Sequence, residues 1–218
     1  GLSTQRLGSQ LTSVIHLRID MSYISNGICI CLGFLLTACA ATLVPVTNDP
    51  MEKLAWAEEL FSKQERPIPA EKLINEAITI CSKENDFNCL GKANLEYGFF
   101  FRSPSLQKWE KFYKENGFLA KDVTYENRLI ESKKYFEIAI SYFAQERNFG
   151  ALTNAYLNLG FAYHFLGQHE KECAPYEKSL EFNLMAIEKN PELPTALPQG
   201  FSSFKEYIES QQKRAGCK

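Results

Sequence analysis

From residue 51 onward, apolar positions recur at three- and four-residue intervals, and no stretch sustains the strict alternation of a half-buried strand. The pattern predicts an all-α domain. Residues 51–63 place Leu54, Ala57, Glu58 and Phe61 near one helical face, and Pro67 and Pro69 are expected to end that helix. Further helices are predicted over residues 70–82 and 87–102 and from Ser103-Pro104 to Gly117. After a polar connection at 120–124 the periodicity resumes up to Gln145, then over 149–166, 168–189 and 201–213. Ser103 suits an N-cap and Pro104 the first helical position. Pro175, inside 168–189, requires either a helix start near Ala174 or a kink, because an interior proline removes a backbone hydrogen bond.

An internal repeat organises these helices. Matching each residue with the one 62 positions later pairs Lys72 with Lys134, Ala77 with Ala139, Ile78 with Ile140, Leu90 with Leu152, Gly98 with Gly160 and Phe99 with Phe161. The matched residues are mainly small and apolar, the ones that set how closely helices pack. Tyr156-x2-Leu159-Gly160-x2-Tyr163, with Gly167 at a turn and Phe136-x2-Ala139-Ile140 as a second-helix pattern, resembles tetratricopeptide repeats (TPRs). The earlier copy, Tyr97-Gly98-x2-Phe101, is weaker. The interval of 62 is not twice 34, and Glu172 stands where the family has a small residue. The resemblance covers about residues 70–191 and implies a short TPR-like helical-hairpin solenoid. In it Gly98, Gly160, Ala77 and Ala139 are expected to allow close helix approach, with Tyr156, Leu159 and Tyr163 packing around them.

Ahead of the helices, the apolar run from Ile28 to Leu36 closes on Leu36-Thr37-Ala38-Cys39. A run of about 7 to 15 apolar residues ending in small ones reads as an export signal and is too short to span a bilayer. The four residues resemble the lipobox of bacterial lipoproteins, in which the cysteine becomes N-terminal and lipidated. That resemblance implies an anchor at Cys39 and, with Ala40 rather than Asp following it, the periplasmic face of the outer membrane. The expected organisation is therefore an upstream segment 1–20, a signal peptide 21–38, a lipidated Cys39 with a tether 39–50, a TPR-like domain 51–198 and a C-terminal capping helix and tail 199–218. The segment after Met21 has no Lys or Arg before the apolar run, a departure from ordinary export signals.

Charge excludes one class of partner. Of 24 basic and 26 acidic residues, Arg6, Arg18 and Asp20 precede Cys39, leaving 22 against 25. Nucleic acid is not expected, since phosphate binding needs a concentrated basic surface. Past Cys39, four cysteines remain, namely Cys81, Cys89, Cys173 and Cys217. Four cysteines permit three pairings. Cys81 and Cys89 flank what reads as a tight turn, so a local bridge is easy, and Cys217 would then staple the tail to the helix holding Cys173.

Catalytic constellations are sparse: there is no H-E-x-x-H, no G-x-S-x-G and no phosphate-cradling glycine loop. His164 and His169 fall about 140° apart on a continuous helix and so are not expected to share a metal face. His169 and Cys173, with Glu170 and Glu172 beside them, read as a solvated helix start. No cofactor or metal is expected, and a periplasmic hydrolase or metal-dependent enzyme built on these histidines is the contrasting class. Phe99, Phe100 and Phe101 sweep about 300° of helix and cannot all face one core. The expected function is a lipid-anchored, non-catalytic binding module for a periplasmic protein or peptide, with Asn94, Asn154, Asn158, Phe100 and Trp109 as contact candidates. A narrower version is an immunity protein that neutralises a secreted antibacterial effector.

Overall fold

The computed structural model describes residue 44 and residues 46–192 and 197–218. The expected signal peptide, Cys39 and residues 1–20 lie outside the described residues. Among the described residues there are nine α-helices and no strand. Helix α1 is Pro50–Ser62, α2 Pro67–Glu84 and α3 Phe87–Arg102. Two short helices follow, α4 Ser105–Lys108 and α5 Glu110–Asn116, then α6 Arg128–Gln145 and α7 Phe149–Phe165. A 3-10 turn at His169–Lys171 leads into α8 Cys173–Lys189, and α9 is Phe204–Ala215.

Local chemistry sets the boundaries, and where they depart from the expected ones the reason is visible. Pro67 opens α2 instead of ending α1, since the first turn of a helix has no use for the missing N–H. The single helix expected after Ser103 is broken at Trp109, which leaves helical geometry as its indole Nε1 donates to the Glu65 carbonyl at 2.9 Å. Gly117, at φ 72°, closes α5 in a conformation that favours glycine. Helix α8 begins at Cys173, so Pro175 sits in its first turn and bends nothing. Ser203 caps α9 by accepting from the Glu206 amide at 3.1 Å, which delays its start beyond the expected residue 201.

The interval of 62 is repeated in the caps as well as in the apolar residues. Asp86 accepts from the Cys89 amide at 2.9 Å to start α3, and Asn148 accepts from the Ala151 amide at 3.1 Å to start α7. Just before each, Asn85 and Arg147 adopt left-handed φ values of 54° and 49°. The two turns also touch, with the Asn148 amide donating to the Asn88 side chain at 2.9 Å.

The most extensive helix contacts are those of α1 with α2, α3 with α6 and α7 with α8. The chain thus forms three successive helical pairs, the middle one interrupted by residues 103–127. That insertion explains the interval: it lies between α3 and α6, whereas the repeated stretch runs from α2 to α3 and again from α6 to α7. Within the α3–α6 pair, the rings of Phe136 and Phe143 lie over Gly98 and Gly91, where a Cβ would come within 2.5 Å of each ring. Tyr176 of α8 covers Gly160 of α7 in the same manner. Ala77 and Ala139 are fully buried, Leu159 is buried, and Tyr156 and Tyr163 pack against the cluster around Phe136.

The insertion covers the end of the first pair. Phe100 and Phe101 are fully buried, Phe100 against Phe61 and Tyr113 and Phe101 against Phe118 and Tyr135. Buried Glu71 of α2 ties the insertion down by accepting from the Leu119 amide at 2.7 Å and the Tyr97 hydroxyl at 3.1 Å. Its burial raises the carboxyl to about 7 despite those bonds. Two disulfides, Cys81–Cys89 and Cys173–Cys217, join α2 to α3 and the end of α9 to α8. No helix among the described residues is long and apolar enough to cross a membrane.

Candidate functional site

Helices α3 and α7 run in the same direction, with Arg102 meeting Asn158 near one end and Asn88 meeting Asn148 near the other. Together with α1 they border an open cavity of about 710 Å³ at their C-terminal ends. Phe61, Phe99, Phe161 and Phe165 line it with Arg102 and Arg128, and Pro104 and Gln107 of the insertion also border it. Phe165 is 57% exposed, a large apolar surface that helix packing leaves uncovered. A second hollow of about 290 Å³ continues along α1 and α3 past Leu54, Lys92 and Glu96, and Glu58 lines both.

The charged residues of this groove are held in unusual surroundings. The Arg102 guanidinium lies 5.0 Å from the Phe99 ring centroid and 5.1 Å from that of Phe136, and donates through Nη2 to Asn158. Its Nη1 is buried with no hydrogen-bond partner, and burial lowers the group to about 10. Asn158 in turn donates to the Asn154 side chain at 2.6 Å, so a polar chain runs from exposed Asn154 to Arg102. Glu96 carries a buried oxygen without a partner, and burial, reinforced by the nearby charge of Glu58, raises its carboxyl to about 8.

The Glu96 shift has a sign that can be measured. Its pKa in the folded chain lies above the ordinary 4.5, so the folded state binds the proton more tightly. The stabilisation is complete below about 4.5 and is lost as pH rises through about 8. Replacing it with an amide, Glu96→Gln, is expected to leave stability near pH 5 little changed and to raise it above pH 8 by about 1 to 3 kcal/mol. Urea melts at the two pH values check this, and parallel pH profiles for both proteins would refute it.

The contact candidates chosen from sequence separate into different roles. Phe100 is 0% exposed and therefore belongs to the core, because the insertion and α1 supply partners on both sides of α3. Of the three consecutive phenylalanines, Phe99 is the one that reaches the groove. Asn94 is buried and donates to the Leu90 carbonyl of its own helix. Trp109 is half-buried against Phe112. Asn158 and Asn154 adjoin the groove through Arg102. Arg102 and Glu96 belong to no motif in the sequence, although each is a charged residue set within an apolar or aromatic run, a pattern that marks a specialised environment.

The two histidines come together where none was expected to. Gly167, at φ 68°, ends α7 and turns the chain back. His164 Nδ1 then lies 3.0 Å and His169 Nδ1 2.6 Å from the same oxygen, Oε1 of fully buried Glu172. Burial would push the Glu172 carboxyl up, but bonds from His169, Tyr176 and His164 outweigh it and hold the group below its ordinary value. The buried Glu172 side chain is the hub of a polar cluster that also includes Tyr176 and Arg214. Comparison with protein-family models, with curated proteins and with solved structures returns no match for this chain.

Proposed function

We propose that this chain is a lipid-anchored periplasmic module of TPR-like helical hairpins that binds a segment of another protein in the groove bordered by α1, α3 and α7. The observation that carries the proposal is the groove itself, an apolar cavity of about 710 Å³ that holds Arg102 and exposes Phe165 along the first helices of the three pairs. Apolar walls with a few fixed polar groups are the usual make-up of a recognition site, and exposed aromatics anchor protein interfaces. The glycine-over-ring packing and the repeated caps support the TPR-like reading. Two disulfides support export to an oxidising compartment, where such bonds persist. The lipobox resemblance at Cys39 supports the anchor.

Photo-crosslinking in the source cells tests the reading. A photoreactive residue at Phe165 or Gln107 is expected to capture a defined envelope or secreted protein, and one at Lys205, outside the groove, is not. Equal capture at all three positions, or none at the groove positions, would overturn it. A single secreted toxin as the captured partner would mark the module as an immunity protein.

A further inference from the structure

We infer that His164, His169 and Glu172 form a binding site for a transition-metal dication of the zinc type, which fastens α7 to α8 beside the Cys173–Cys217 disulfide. The inference stands independently of the proposed peptide groove. One ligand atom from each of the three residues lies within 4.8 Å of the other two, and both Nδ1 nitrogens face Glu172 Oε1. Two imidazoles and one carboxylate are a frequent zinc ligand set, usually completed by water at an open position. Bonds of about 2.0 to 2.1 Å in a tetrahedron separate ligand atoms by roughly 3.3 Å. The His164 pair, at 3.0 Å, is near that spacing, and the His169 pair, at 2.6 Å, has to open. His169 stands on a 3-10 turn with its side chain 56% exposed, so its ring is free to make that adjustment.

The carboxylate is arranged for one-sided coordination. Tyr176 donates its hydroxyl to Oε2 at 3.0 Å and Arg214 donates to the same oxygen at 3.0 Å. Arg214 also donates to the Tyr176 hydroxyl at 2.8 Å, which fixes the second oxygen completely and leaves Oε1 to the two rings. Hydrogen bonds from neighbouring residues commonly orient metal-bound carboxylates in this way. The disulfide holds α9, and with it Arg214, against this cluster. The histidine side chains are 34% and 56% exposed, so an ion has access from solvent, while Glu172 is completely buried and cannot swing away. A network serving only to neutralise Glu172 and satisfy both its oxygens would be complete with Arg214 and Tyr176 on Oε2 and one histidine on Oε1. The second histidine is the surplus that a metal explains.

The test uses the intact, oxidised chain purified without a histidine tag and stripped with a chelator. Co²⁺ is expected to bind with one-to-one stoichiometry and to give the visible absorption of a low-coordinate nitrogen and oxygen site, and Zn²⁺ is expected to displace it. His164→Ala and His169→Ala change partly exposed side chains and should leave the helical circular dichroism intact. Each is expected to weaken Co²⁺ binding at least tenfold, whereas His169→Cys, which restores a ligand, should recover much of it and change the spectrum. Absence of the visible bands, or bands that survive the double variant His164→Ala/His169→Ala, would overturn the inference.

Discussion

Gly98→Val is expected to destabilise the chain by about 3 kcal/mol, and Phe136→Ala by about 3 to 5 kcal/mol. The two are opposite faults in one contact. In an exposed helix, replacing glycine with alanine would stabilise by about 1 kcal/mol. At position 98 a Cβ would meet three atoms of the Phe136 ring at 2.5, 2.6 and 2.9 Å. That ring is fully buried between α3, α6 and the Phe99 edge, so it has no free direction in which to withdraw. Removing the ring instead leaves a cavity beside Gly98, and Gly91 with Phe143 keeps the rest of the helix pair in register. The same geometry makes the effects non-additive. Gly98→Ala in the Phe136→Ala background should cost nothing or be stabilising, because the added methyl then occupies vacated space. Urea denaturation of the unaltered chain, Gly98→Ala, Phe136→Ala and the double variant gives the interaction energy directly. Strict additivity would mean that the close approach of α3 and α6 does not carry the stability assigned to it.

How much of this was legible in the sequence depends on the range over which each signal acts. Periodicity and repeat spacing marked Gly98 and Gly160 as sites of close approach, since those signals are local and recur. They did not identify Gly91 and Phe143, the second contact of the same pair, because Gly91 has no glycine at the corresponding position, which is Thr153. Nor does periodicity say that residues 103–127 are an insertion within a pair. That emerges only when Phe136, on the far side of the insertion, is seen lying on Gly98. The same limit governs the groove. Phe99 to Phe101 are not expected all to face one core, yet Phe100 and Phe101 enter the same one and Phe99 packs on its edge while lining the groove, an arrangement set by α1 and the insertion. His164 and His169 illustrate the converse error. Helical geometry alone separates them, and the turn at Gly167 reverses that by ending the helix between them.

Cys173→Ser/Cys217→Ser is expected to weaken the chain by about 4 kcal/mol and to act first through α9. The bridge spans 44 residues, and closing a loop of that length removes about 4 kcal/mol of unfolded-state entropy in the chain-entropy treatment. The Cys81–Cys89 bridge spans 8 residues, for which the same treatment gives roughly 2.5 kcal/mol. The larger loss also falls on a weaker attachment. Apart from the disulfide, α9 holds to α8 through Phe204 and Ile208 around Tyr176, together with the Arg214 contact to Glu172. Helix α3, by contrast, packs on α1, α2 and α6. With the bridge removed, backbone amide protection in α9 should therefore fall by two to three orders of magnitude, the equivalent of about 3 to 4 kcal/mol, well before α3 is affected. Cys81→Ser/Cys89→Ser should instead lower protection around the α2–α3 turn and leave α9 unchanged. If α9 kept its protection without the bridge, the apolar contacts of Phe204 and Ile208 would suffice to hold it, and the disulfide would act on the unfolded chain alone.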